Sequence, residues 1–152
     1  MTGKTHAAVG LGTVLAVTQP STVSGLVLAA GTGMLGALIS DIDVGTSKSH
    51  KDADRITLIA VLLVAAEIAL NYFCNFSIWE KIRNDKSVAP VAMGVIIFIA
   101  VCAFGKNQPH RSFMHSIMVM AILSGALSMV SVQLVPYFVV GFASHLVLDC
   151  FN

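Results

Sequence analysis

Charge is scarce in this sequence: of 152 residues only 11% are charged, against about a quarter in an ordinary soluble domain. That scarcity excludes a water-soluble globule. With 56% hydrophobic residues and a mean hydropathy of +0.83, the chain also lacks the polarity that keeps a disordered segment unfolded. An excess of one sign is missing too, since nine basic residues face eight acidic ones for a net charge of +1. No basic surface exists to draw in a polyanion, which excludes nucleic acid as a partner. Paired cysteines are missing as well: Cys74, Cys102 and Cys150 are odd in number and lack the short spacing of a zinc knuckle or redox motif. They read as free thiols in a reducing or lipid-shielded setting.

What the sequence has is apolar runs. Four approach the length of about 20 residues that a helix needs to cross a bilayer: residues 22–40, 56–76, 88–105 and 113–134. Two shorter runs cover residues 7–19, closed by Pro20, and 136–151, opened by Pro136 in a position suited to the first helical turn. A secretory signal peptide is the competing reading of the first short run, with Lys4 as its positive region. The apolar pattern resumes directly after Ser21 without a convincing cleavage site, which disfavours it. The chain therefore reads as all-α, a polytopic transmembrane bundle of about six segments forming a single integral membrane domain over residues 1–152. Small residues, including Gly31, Gly33, Gly36 and Ala37 in the second run and Ser124, Gly125 and Ser128 in the fifth, predict close helix approach.

Six alternating segments assign every loop to a face. The face of the N-terminus receives Lys4, Lys48, Lys51, Arg55, Lys106 and Arg111, and the other receives Lys81, Arg83 and Lys86. The positive-inside rule then places the N-terminal face in the cytoplasm.

The same face collects the residues able to carry chemistry. His6 opens the first segment, Asp41 and Asp43 follow the second, His110 and His115 flank the start of the fifth, and His145 and Asp149 lie near the end of the sixth. His145 and Asp149, four apart, share one face of a helix. Asp41 and Asp43, two apart, would diverge in a continuing helix and need a turn to point the same way, for which Gly45 follows. His110 reads as part of the entry loop after Pro109, and His115 as one turn inside the helix. Ionised groups near an apolar core are costly unless paired or bound to metal. Imidazole and carboxylate donors suit zinc, iron or manganese, and seven such groups exceed the needs of one catalytic zinc, leaving one ion with orienting carboxylates or two ions. Cys150 is the only thiol near enough to substitute.

Other readings exist for each residue. His50 sits among Lys48, Lys51, Asp52 and Asp54 as an ordinary loop histidine, and Glu67 and Asn71 read as a helix-to-helix hydrogen bond. A hydrogen bond from His115 or His145 to Asp149 would tie helices together with no metal. Arg111 either snorkels to the interface or clamps an anionic substrate group. At the level of function, an ion or proton transporter using the same His/Asp cluster and a noncatalytic membrane adaptor are the rivals of an enzyme.

Thr5-His6, the Asp41-x-Asp43 pair, the block His110-Arg111-x-x-x-His115-Ser116 and His145-x-x-x-Asp149, taken in this order, resemble the YdjM-like family of membrane-bound metal-dependent hydrolases. That family is also described as LexA-binding and inner membrane-associated. The resemblance implies a bacterial-type inner membrane location, a divalent transition metal with zinc favoured, and hydrolase activity. In it His6, Asp41, Asp43, His110, His115, His145 and Asp149 are the pool of metal ligands, and Asp41, Asp43 and Arg111 are the groups acting on substrate. The motif logic is similar to that of the helical phospholipase C and P1 nuclease zinc enzymes, which implies a phosphoester in a lipid or lipid-linked substrate. Ser40 stands where the family commonly has proline, and Met114 where it has threonine. The chain ends at Asn152, where relatives usually continue, so the resemblance implies a short member or a truncated C-terminus.

Overall fold

The computed structural model describes residues 3–43, 88–109 and 112–151. All regular structure in them is helical: α1 (Gly3–Thr18), α2 (Val23–Ile39) with a 3-10 turn (Ser40–Asp43), α3 (Val88–Gly105), α4 (Ile117–Val130), and α5 (Val135–Cys150) preceded by a 3-10 turn (Val132–Leu134). The apolar run at 56–76, with Glu67 and Asn71, lies outside the described residues, as do Cys74, His50, His110 and Arg111.

Local chemistry fixes the helix ends. Gln19 takes a left-handed φ of 41° directly before Pro20, a combination that stops α1, because a left-handed residue ends the hydrogen-bond ladder and proline cannot continue it. The Thr22 hydroxyl accepts from the amide of Gly25 at 3.1 Å to start α2. Pro136 lies in the first turn of α5, as its sequence position predicts. The fifth run begins its helix later than its hydropathy predicts. Ser116 is the N-cap, accepting from the Val119 amide at 3.2 Å, so His115 lies in the turn before α4 and not one turn inside it. The hydroxyl satisfies an amide that would otherwise face an apolar surround, and that gain sets the start.

Among the described residues, three segments are long and apolar enough to cross a membrane by length and composition: Val23–Asp43, Val88–Gly105 and Val132–Cys150. Thr5–Thr18 and Ile117–Val130 are apolar but shorter. Their outward faces are as apolar as their inward ones, with Val23, Leu26, Val27, Val95, Ile96, Met118 and Val147 exposed. Helices that are hydrophobic all round match a lipid surround and not water.

Close packing joins α1, α2 and α5. A Cβ placed on Gly36 would strike the Phe138 carbonyl and the Phe142 amide, and one on Gly141 would strike the backbone of Gly33. Gly10 meets Ala37, and Gly33 meets the Val14 side chain. Gly31 and Gly125, by contrast, face open space. On the other flank α3 runs antiparallel to α4, with Gly94 against Ala126 at one end and Gly105 against Met114 at the other. Phe138, Phe142, Met114, Val119, Leu123 and Ile42 fill the centre, and Phe98 meets Phe138 edge-on at 6.1 Å.

This packing gives the bundle one chemically distinct end. The start of α1, the turn after α2, the turn before α4 and the end of α5 all arrive there.

Candidate metal centre

That end holds His6, Asp41, Asp43, His115, His145 and Asp149. His145 is fully buried in α5, and its Nδ1 lies 2.7 Å from the carbonyl oxygen of Ala37 in the last turn of α2. A carbonyl only accepts, so Nδ1 carries the proton and donates, which leaves a lone pair on Nε2 of the neutral ring. That Nε2 faces His115 Nε2 at 3.3 Å, Asp149 Oδ2 at 3.4 Å and Asp41 Oδ1 at 3.6 Å. His115 Nε2 lies 3.1 Å from the same Asp149 oxygen.

These distances test whether the residues suit a metal ion. Donors bound to zinc at 2.0–2.2 Å in a tetrahedron stand roughly 3.3–3.6 Å apart along each edge. His115 Nε2, His145 Nε2 and Asp149 Oδ2 form a triangle with sides of 3.1, 3.3 and 3.4 Å, close to one face of such a tetrahedron. Two histidines and a carboxylate on one face also suit iron or manganese.

The surroundings of the histidines follow the pattern of metal ligands, whose second nitrogen is held by a carbonyl or a carboxylate. For His145 the holder is the Ala37 carbonyl. Beside Nδ1 of His115 stands Asp43, whose side chain is fully buried with Oδ2 at 3.6 Å, the separation of an ion pair. The 3-10 turn after α2 therefore separates the two aspartates by role: Asp41 faces His145, and Asp43 stands behind His115.

Electrostatics point the same way. The carboxylates of Asp41 and Asp43 sit just past the C-terminal end of α2, and Asp149 is in the last turn of α5. Helix C-termini carry partial negative charge, so two helix ends and three carboxylates concentrate negative potential in one place. Only a cation or a shared proton relieves it. His115, in the turn outside the helices, registers this: burial pushes its pKa down, but the hydrogen bond to Asp43 and the charges of Asp43, Asp149 and Asp41 outweigh burial and hold it above the ordinary histidine value.

His6, in the second turn of α1, is 3% exposed. Its ring lies 4.1 Å from that of His145, and its Nε2 is 3.6 Å from Asp149 Oδ1. Its Nδ1 is buried with no hydrogen-bond partner among the described residues.

Of the seven ligands expected from sequence, six are brought together at this end, and His110, like Arg111, lies outside the described residues. Sequence reasoning missed the Ala37 carbonyl, a backbone atom that no side-chain pattern marks. It also missed Ser116 as the cap that presents His115, although a serine before an apolar run is a readable signal.

No curated protein and no solved structure matches the chain. A family model does match it over residues 1–152, described as the YdjM inner membrane protein, and the chain belongs to that family.

Proposed function

We propose that this protein is a membrane-embedded metal-dependent hydrolase that cleaves a phosphoester in a lipid or lipid-linked substrate. The observation that carries the reading is the triangle of His115 Nε2, His145 Nε2 and Asp149 Oδ2, whose sides would suit a single divalent cation. Zinc is the metal that the family resemblance implies, and the imidazole and carboxylate donors equally admit iron or manganese. When bound, such a cation would polarise a phosphoryl oxygen and lower the pKa of a nearby water toward neutrality.

The chain's own residues do the rest. The Ala37 carbonyl fixes the tautomer of His145, so its Nε2 presents a lone pair inward, and the Asp43 carboxylate stands beside Nδ1 of His115 at ion-pair distance. Asp41, at the edge of the triangle, is placed to accept a proton from attacking water. Arg111, four residues before His115 in the sequence, would supply a guanidinium for two phosphate oxygens. An ester at headgroup depth would reach a site at the end of the bundle without leaving the lipid.

Six segments, a site on the cytoplasmic face and a relation to the helical phospholipase C and P1 nuclease fold complete the proposal. The loop charges support the orientation. The LexA link implied by the sequence resemblance is carried as a partner to be tested by co-purification. Among the described residues the buried polar ones, His6, Ser40, Asp43 and His145, cluster at the site end, which favours a localised reaction over an ion relay spanning the bundle.

The test is release of phosphate or phosphorylated headgroup from phospholipids in mixed micelles by zinc-loaded protein. Activity lost on chelation and in His115→Ala supports the proposal; metal-loaded protein that hydrolyses no phosphoester in a broad lipid panel contradicts it.

A further inference from the structure

Resting on the metal-site reading above, we infer that the last turn of α3 positions His115 for the metal: Phe104 and Gly105 grip Phe113 and Met114, the two residues directly before it. α3 contains no histidine, aspartate or glutamate, so its part in the site is to hold a ligand carried by another element.

His115 lies in a turn, where no helical ladder sets its backbone. On its C-terminal side Ser116 fixes the turn to α4: its hydroxyl donates to the Phe113 carbonyl at 2.8 Å and accepts from the Val119 amide at 3.2 Å. On its N-terminal side α3 supplies the hold. The ring of Phe104 meets that of Phe113 edge-on, with centroids 5.0 Å apart and planes at 81°, an arrangement favoured between aromatic rings. The next residue, Gly105, lies so close to Met114 that a Cβ there would strike both Sδ and Cγ of the methionine.

Met114 has no room to give way. A thioether end bends easily, but Cγ is one bond from Cβ, so swinging the end alone does not clear it. The side chain is 0% exposed and belongs to the core cluster with Cys102, Val119 and Phe142, and close-packed interiors hold few voids. A displaced Met114 therefore carries its backbone, and His115 with it. Metal–ligand distances tolerate only about 0.2 Å, and His115 Nε2 stands 3.1 Å and 3.3 Å from its two neighbours in the triangle. α3 also packs against the 3-10 turn that carries Asp41 and Asp43, so this one helix touches both turns that bear site residues.

The same helix pair contains a control. Gly94, at the far end of α3, lies against the Ala126 carbonyl, Met129 and Val130 of α4. A methyl there loosens the pair without reaching the His115 turn.

Tag-free full-length protein in detergent, stripped by chelation, is titrated with cobalt(II), whose visible absorption bands report the geometry of its ligands. The unaltered protein should bind cobalt, and Gly105→Ala should bind it about 10–100-fold more weakly, with shifted bands. Gly94→Ala should melt at a lower temperature but keep the cobalt bands and affinity of the unaltered protein. Unchanged bands and affinity in Gly105→Ala, or the same change in both variants, overturns the inference and leaves the metal centre standing. An unaltered protein that binds no cobalt overturns the metal-site reading and this inference with it. Should Gly105→Ala fail to fold, Phe104→Leu decides, since Phe104 is 56% exposed and its replacement spares the core: weaker cobalt binding supports the inference, and unchanged binding overturns it.

Discussion

The imidazole of His145 donates through Nδ1 to the Ala37 carbonyl across 2.7 Å, and this one hydrogen bond ties the packing of α2 on α5 to the chemistry of the site. The glycines that let these helices touch, Gly33, Gly36 and Gly141, set how far Ala37 stands from His145. A loosened helix pair would therefore release the ring that the metal needs.

Substituting Gly36→Ala or Gly141→Ala should destabilise the protein by about 1–3 kcal/mol, because the added methyl meets backbone that must move apart. Gly31→Ala and Gly125→Ala, which meet nothing, should be neutral or stabilising by up to about 1 kcal/mol. Melting in detergent separates the two classes, and the first should also retain less metal. Equal behaviour of all four would detach helix approach from the site.

Chelation should lower the melting temperature of the unaltered protein, since an ion that binds only the folded chain at 100 times its dissociation constant stabilises it by about 2.7 kcal/mol. His115→Ala should melt near the chelated value and ignore added zinc. Thermal shift measurements check both. A noncatalytic role in which the cluster merely pins helices predicts melting unchanged by chelation.

Acid should expel the metal. The carboxylates around His115 hold its pKa above the ordinary histidine value, so in the metal-free protein its proton persists to higher pH and competes with the ion. Zinc affinity should fall as pH drops, starting above the usual histidine range of about 6.5. For the metal-free protein the sign reverses: a raised folded pKa gives stability that is present at low pH and lost as pH rises through that pKa. Asp43→Asn should shift the zinc-affinity curve toward lower pH. Titrations of zinc binding and melting against pH would show the opposite slopes, and parallel slopes would contradict them.

Removing the cap in Ser116→Ala should cost about 1 kcal/mol and weaken metal retention, because the turn that holds His115 depends on it. Ser116→Thr should restore both. Loss of stability with unaltered zinc affinity would show that the cap does not position His115.

How much of this was readable in the sequence differs by residue. The 88–105 run became α3 with the same bounds, since an uninterrupted apolar stretch leaves a helix little choice. His145 and Asp149 were legible as a pair because helical spacing alone puts them on one face, and they meet at 3.4 Å. The start of α4 was misplaced, because hydropathy counts Phe113 and Met114 as helix while the Ser116 cap delays it. Asp41 and Asp43 were legible as a pair needing a turn, but their division between His145 and His115 depends on the geometry of the 3-10 turn. The Ala37 carbonyl was illegible, being a backbone atom placed by packing between helices distant in sequence.

The most direct measurement is an anomalous difference map from crystals of the zinc-loaded full chain, recorded at the zinc edge. The account predicts a peak within bonding distance of His115 Nε2, His145 Nε2 and Asp149. A map without density there, or with zinc held only at other positions, would contradict it.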